Sequence, residues 1–217
     1  MLSPKGRSRL SLAKLGSIAG RFASLVATIC VGAHVCAQAP VAPDAAPQPP
    51  ASQSAPAAPQ TPSTQPLDWK TYSYPADGFS ASFPSQPAEQ KQTVQTDAGS
   101  FELRTYLAAS ASAALYIGVC DYGEAARGSD PDEVLEGAQK GAVSNVNAHL
   151  IHSKKVTLGA YPGVAFEAET QGSHFFGRIY LVGTILYQVF VAPAPGETFP
   201  ETTRFLDSFQ LIARAEP

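Results

Sequence analysis

Two acids, a histidine and an arginine crowd one short stretch of this chain: Glu167, Glu169, His174 and Arg178. A carboxylate that orients an imidazole leaves the other ring nitrogen free to take a proton, so this set has the parts for acid/base chemistry. The same groups can grip an anionic ligand through the guanidinium fork. Tyr180 and Tyr187 follow, and tyrosine and arginine are the types that dominate binding hot spots. The plainer alternative is a cross-strand ion pair with a turn histidine on a solvated sheet face, an arrangement worth little energy. A small hydrolase would have to use Glu167 or Glu169 with His174; a binding surface would use all six residues.

The other chemically capable residues offer less. His149 and His152 are three apart, and in a regular strand that spacing sends the rings to opposite faces, with no matched cysteine or carboxylate motif for a metal. No metal site is expected. Cys120 sits in the apolar run Ala114 to Asp121, where a thiol behaves as a small buried hydrophobe. Gly118 to Gly123 (GVCDYG) starts like a phosphate loop, but Glu124-Ala125 stands where Lys and Ser or Thr are required. With no dinucleotide glycine pattern, G-x-S-x-G or H-E-x-x-H, no cofactor is expected.

The elements that position Glu167 to Tyr187 are two hairpins. Gly172-Ser173 and Gly183-Thr184 read as two-residue type II′ loops with glycine first. That register puts Glu167 opposite Arg178, Glu169 opposite Phe176 and Phe166 opposite Ile179, then Tyr180 opposite Tyr187 and Leu181 opposite Leu186. One face then carries Val164, Phe166, Phe175, Ile179, Leu181, Leu186 and Phe190, with Gln188 its one polar side chain. The other mixes Glu167, Glu169, His174, Arg178, Tyr180 and Tyr187 with Phe176, Val182, Ile185, Val189 and Val191. This half-polar face is the expected recognition surface, unless the helix at 130 to 147 covers it.

Around these hairpins the chain predicts strands at 69 to 74 and 79 to 83 about a Pro75-Ala76-Asp77-Gly78 turn, then at 90 to 97, 100 to 108 and 114 to 121, with Gly99 at a turn. Ser129-Asp130-Pro131 followed by Asp132-Glu133 opens a helix reaching about Asn147, with Leu135, Ala138, Ala142 and Val146 as its apolar stripe. Strands at 150 to 158, 163 to 170, 174 to 182 and 185 to 192 follow, with Tyr161-Pro162-Gly163 read as a turn. A short helix from Pro200 to Asp207 turns Phe205, Leu206 and Phe209 inward. The fold class is α+β: an antiparallel β-sheet with helices packed on it.

Ahead of this domain the composition changes twice. Residues 1–37 read as a signal peptide: a basic, acid-free start, the apolar run Phe22 to Val35, and small residues before a cleavage point after Ala37. The run is too short for a stable membrane anchor, which needs roughly 20 apolar residues. Neither Cys30, after Ile29, nor Cys36, after Val35, has the small neighbour that lipidation needs. Residues 38–66 hold nine prolines, one charge (Asp44) and no aromatic residue, a composition that cannot bury enough area to fold. The domain spans 67–212 and leaves a tail at 213–217. Of the 15 basic residues in the chain, Lys5, Arg7, Arg9, Lys14 and Arg21 fall in the signal, which leaves 10 against 18 acids beyond it. An acidic mature product without a basic run lacks the phosphate contacts of a nucleic-acid binder. With the signal gone, Cys120 is the only cysteine, so no internal disulfide can form.

Three stretches carry a resemblance: Tyr74-Pro75-Ala76-Asp77-Gly78-Phe79 through Phe83-Pro84-Ser85-Gln86-Pro87, Gly177-Arg178-Ile179-Tyr180-Leu181-Val182-Gly183 with Leu186-Tyr187-Gln188, and Arg204-Phe205-Leu206-Asp207-Ser208-Phe209. The domain resembles the PsbP-like superfamily, which includes an extrinsic photosystem subunit, a nuclear import factor and many secreted bacterial proteins. The resemblance implies an α/β/α sandwich about an antiparallel sheet, and a noncatalytic accessory or binding role; it supplies no catalytic residue to carry over. The expectation is an exported binding or accessory domain, periplasmic or extracellular, whose partner is a protein or small ligand. The small secreted hydrolase stands as its alternative.

Overall fold

The computed structural model describes residues 67–96, 99–170 and 172–215; the signal segment 1–37 and the linker 38–66 lie outside the described residues. The elements in chain order are β1 (Lys70–Tyr74), β2 (Phe79–Phe83), β3 (Ala88–Thr96), β4 (Gly99–Ala109), β5 (Ala113–Asp121), α1 (Pro131–Asn145), β6 (His149–Leu158), β7 (Tyr161–Thr170), β8 (Ser173–Val182), β9 (Ile185–Pro193), α2 (Thr202–Ser208) and β10 (Gln210–Leu211). Seven strands form one antiparallel sheet in the order β3-β4-β5-β9-β8-β7-β6, and β1-β2-β10 form a small second one. The α+β class holds, with a helix on each face of the large sheet. The outer layer beside α2 is completed by the small sheet.

Helix α1 covers the face carrying Val164, Phe166, Phe175, Ile179, Leu181, Leu186 and Phe190, through its buried Val134, Leu135, Ala138 and Ala142. Asp130 caps it, its side chain accepting from the Asp132 amide at 2.9 Å, and Pro131 occupies the first helical position, where no amide is needed. The helix stops at a left-handed Asn147 (φ 51°), with the Asn147 amide on the Ser144 carbonyl and the Ala148 amide on the Val143 carbonyl. That bond pair is a Schellman closure, and asparagine tolerates the left-handed conformation better than most side chains.

The opposite face is dry over its centre. Tyr180, Tyr187, Val189 and Val191 are buried against Phe79 and Phe83 of β2, Phe205 and Leu206 of α2, and Phe209. Burying each such aromatic side chain contributes about 2 kcal/mol. The Pro75–Gly78 turn locks this layer to the sheet. Asp77 is 1% exposed; its carboxylate accepts from the Arg104 guanidinium and the Tyr106 hydroxyl, while its carbonyl accepts from the Tyr187 hydroxyl at 2.7 Å. The chain end closes over the same turn, Ile212 donating to the Gly78 carbonyl and Ala215 to the Pro75 carbonyl, both at 2.9 Å.

Several boundaries differ from the sequence reading for identifiable reasons. Thr170 pairs with Ser173, so Gly172 (φ 88°) is second in its loop and not first. This moves the first hairpin by two residues, which keeps every side chain on its face and changes every partner. Glu167 lies opposite Phe176, Glu169 opposite His174, Phe166 opposite Gly177 and Arg178 opposite Ala165. The second hairpin has the expected register, with Gly183 (φ 64°) first in its loop.

Tyr161-Pro162-Gly163 is strand and not turn, because Leu158 pairs with Tyr161 about a left-handed Gly159 (φ 60°). In a two-residue hairpin the closing pair exchanges the hydrogen bonds, so the next pair, Thr157 and Pro162, has no use for the missing proline amide. Gly99 likewise is a paired strand residue, opposite Thr96. Strand β10 carries no local signal, being two residues held by pairing with Ser80 and Phe79.

Candidate binding groove

The six residues singled out by sequence share one face but do not form one site. Tyr180 and Tyr187 are 4% and 2% exposed, Tyr180 stacked on Phe209 at 5.9 Å and 7°. Burial pushes the Tyr187 hydroxyl up to about 12, although the Arg214 charge works the other way. Neither tyrosine can meet a partner, which corrects the expectation of a hot-spot pair. The cover is the small sheet with Phe209 and α2; helix α1 lies on the other face.

The expected Glu167 to Arg178 pair is absent. Arg178 reaches α2, its Nη2 donating to Asp207 Oδ1 at 2.5 Å and its Nη1 to the Leu206 carbonyl at 3.2 Å. It therefore holds the C-terminal end of α2 against the sheet, where a cation also meets the negative end of the helix. Glu167 Oε1 lies 2.7 Å from His174 Nδ1, and the His174 ring stacks on Phe176 at 6.0 Å. Glu169 is exposed and pairs in register with both His174 and His149.

The histidine spacing reads differently once β6 is seen. A bulge between Leu150 and His152 places His149 opposite Glu169 and His152 opposite Glu167, so both rings lie on the Glu167 face where regular alternation predicted opposite faces. Lys154 follows opposite Ala165 on that face. Among the described residues no three His, Cys, Asp or Glu side chains come together in a way that could hold a metal ion.

At this corner of the large sheet the second layer runs out, and a groove of about 450 Å³ opens between β6, β7, β8 and the end of α2. Phe176, Ala165, Gly177 and Leu206 give it apolar walls, while His152, Lys154, Glu167 and Arg178 supply polar groups of both signs. Of the six residues predicted for the site, only Glu167 and Arg178 line it. His152, Lys154 and Leu206 were missed. The alternation of positions 152 and 154 was available in the sequence, but the bulge that sets its phase was not. Leu206 arrives from a distant element, and nothing local announces it.

The hydroxyls near the Glu167–His174 pair are already engaged. Thr170 Oγ1 donates to the Ser173 carbonyl and Ser173 Oγ to the Pro193 carbonyl, while Ser153 Oγ, on the α1 side, accepts from Gln139. The side chains of His174 and Glu167 are 52% and 30% exposed, a setting in which water screens any field the pair could exert. Cys120 is the opposite case, buried in the α1 core with its thiol pushed up to about 12, first by desolvation and then by the Asp121 charge.

No protein-family model matches this chain, and no curated protein matches it either. Among solved structures it is similar to the solution structure of cyanobacterial PsbP (CyanoP) from Synechocystis sp. PCC 6803, with a TM-score of 0.46 and 10% identity over 69% of this chain and 95% of that one. Among the described residues no helix is long and apolar enough to cross a membrane.

Proposed function

We propose that this chain is an exported, noncatalytic binding domain that takes its partner at the β6–β8 groove, either in the periplasm or outside the cell. One observation carries the reading. In the groove an apolar floor formed by Ala165, Phe176 and Leu206 lies open, rimmed by groups of both signs on paired strands. Rigid, partly apolar concavities with a few placed polar groups are the usual form of recognition sites. The hydrolase alternative would route a proton through His174, held by Glu167. It is the weaker reading because the Thr170 and Ser173 hydroxyls donate to backbone carbonyls, so neither is presented to His174 as a nucleophile.

The signal at 1–37, the spacer at 38–66 and the domain from 67 onward belong to the same proposal, as export is what the N-terminal composition supports. The test is affinity capture from the native host after crosslinking, comparing the unaltered protein with a His152→Ala, Lys154→Ala variant. Both positions are exposed, so the fold should survive the change. Loss of a specific captured species in the variant is the expected result. Equal capture by both forms would move the binding site elsewhere, and turnover of an ester or amide substrate that disappears in His174→Ala would favour the hydrolase.

A further inference from the structure

We infer that the groove's partner is an extended, carboxylate-bearing peptide segment of another protein, which adds to the open edge of β6 as a further strand of the large sheet; this rests on reading the groove as the binding surface. The first ground is the edge itself. Strand β6 ends the sheet order, and among the described residues no strand pairs with its outer side. Residues 149–155 are all exposed. The closing pair of the β6–β7 hairpin, Leu158 and Tyr161, exchanges its hydrogen bonds, and an antiparallel ladder alternates from there. Val156, Lys154 and His152 therefore direct their backbone groups to β7, while Thr157, Lys155 and Ser153 each present an N–H and a C=O to the open side. Over these residues the register is regular, since the bulge lies before His152. An unpaired run of this kind is the template that β-strand addition uses.

The second ground is charge. Strand β6 carries His149, His152, Lys154 and Lys155 and no acid. The other charges nearby are already answered, Glu167 by His174 and Arg178 by Asp207, and Lys155 reaches Asp132 of α1 at 2.6 Å. Lys154, which lines the groove, has no ion-pair partner among the described residues. Because Lys154 bonds inward to β7, the residue opposite it on an added strand falls in a non-hydrogen-bonded pair, where side chains stand closest. A carboxylate there meets the ammonium directly, and His152, two residues along on the same face, can donate to a second. The start of the strand adds apolar contact, with Leu150 and Ile151 48% and 40% exposed. A second copy does not fit this edge, since β6 against β6 brings together two acid-free strands and leaves Lys154 unanswered. Lysines on an edge strand discourage self-pairing, so the residues that select an acidic strand also reject a second copy.

The probe is a displayed library of random peptides of about ten residues, the upper length of an ordinary strand, selected on the full chain. Enriched sequences are synthesised and their binding is measured by fluorescence anisotropy. Expected are peptides with Asp or Glu at alternate positions, whose affinity falls about tenfold in Lys154→Glu and about tenfold in Lys155→Pro. Lys155→Pro removes one outward N–H at an edge position where proline is tolerated, and Thr157→Pro, at the next such amide, serves as the second variant should the first fail to fold. Lys155→Ala, which keeps the amide, and Lys140→Glu, at an exposed position on α1, should bind within about twofold of the unaltered protein. Enriched peptides without that alternation, no enrichment at all, or binding indifferent to the proline variants overturns the inference, as does self-association of the chain that those variants abolish. Peptide binding that ignores the prolines yet falls in His152→Ala, Lys154→Ala would remove strand addition alone and leave the groove as the binding surface. Peptides that depend on the prolines, with equal capture of the native partner by the unaltered protein and by His152→Ala, Lys154→Ala, would sink the groove reading while the open edge stands.

Discussion

At the scale of single residues, the most buried polar side chain among the described residues, Asp77, serves architecture. The Asp77 carboxylate joins β4 to the turn through Arg104 and Tyr106, and the Tyr187 hydroxyl meets its carbonyl from β9. Removing it in Asp77→Ala orphans the Tyr106 hydroxyl and leaves Arg104, which also reaches Glu102, with half its partners. Urea denaturation should show a loss of about 3 kcal/mol, with Tyr106→Phe costing about 1 kcal/mol. Cys120 supplies a pH dependence. Its folded thiol sits near 12 against an ordinary 9.0, so the folded state holds the proton more tightly than the unfolded chain. The associated stability is complete below about pH 9 and is lost as pH rises toward 12, at up to about 1.4 kcal/mol per pH unit. Thermal melts between pH 8 and 11 should fall more gently for Cys120→Ala, and in the native protein the Cys120 peptide should resist alkylation until denaturant is added.

At the scale of elements, Gly177 shows what the hairpins demand. The Phe166 ring lies where a Cβ on Gly177 would stand, so the two residues opposite each other in β7 and β8 interlock across the pair. Gly177→Ala should cost 1 to 3 kcal/mol by overpacking, roughly the upper half of that range since Phe166 is itself buried. Phe166→Leu in the same background should recover part of the loss in a double-mutant cycle, which would separate a steric clash from a change in strand propensity. Gly172 and its neighbours show why the first hairpin was half legible. Side-chain alternation has a period of two, so the faces of Glu167, Glu169, His174 and Arg178 could be read whichever loop residue carried the positive φ. The partners could not, because glycine serves equally as the first or second residue of a two-residue loop. The bulge at Ile151 and the two-residue β10 left no mark in the pattern, since both are set by contacts with strands that are remote in sequence.

At the scale of the molecule, the large sheet has two unequal covers. Helix α1 with its cap and Schellman closure seals one face, and the small sheet with α2 seals the other only over its centre. The domain's class and its core face follow from alternation and caps. The site follows from where the second cover ends, a property of the assembled layers that Tyr180 and Tyr187, buried beneath Phe209, illustrate. The central claim is that this uncovered corner is the binding surface. Its most direct test is amide chemical-shift mapping of the isotope-labelled protein titrated with the species recovered by crosslinked capture. The account predicts that the largest changes fall on 152–154, 165–167 and 176–178, with the α1 face unmoved. Changes concentrated on α1 or on the β3 edge, or conversion of the added species into a product, would contradict it.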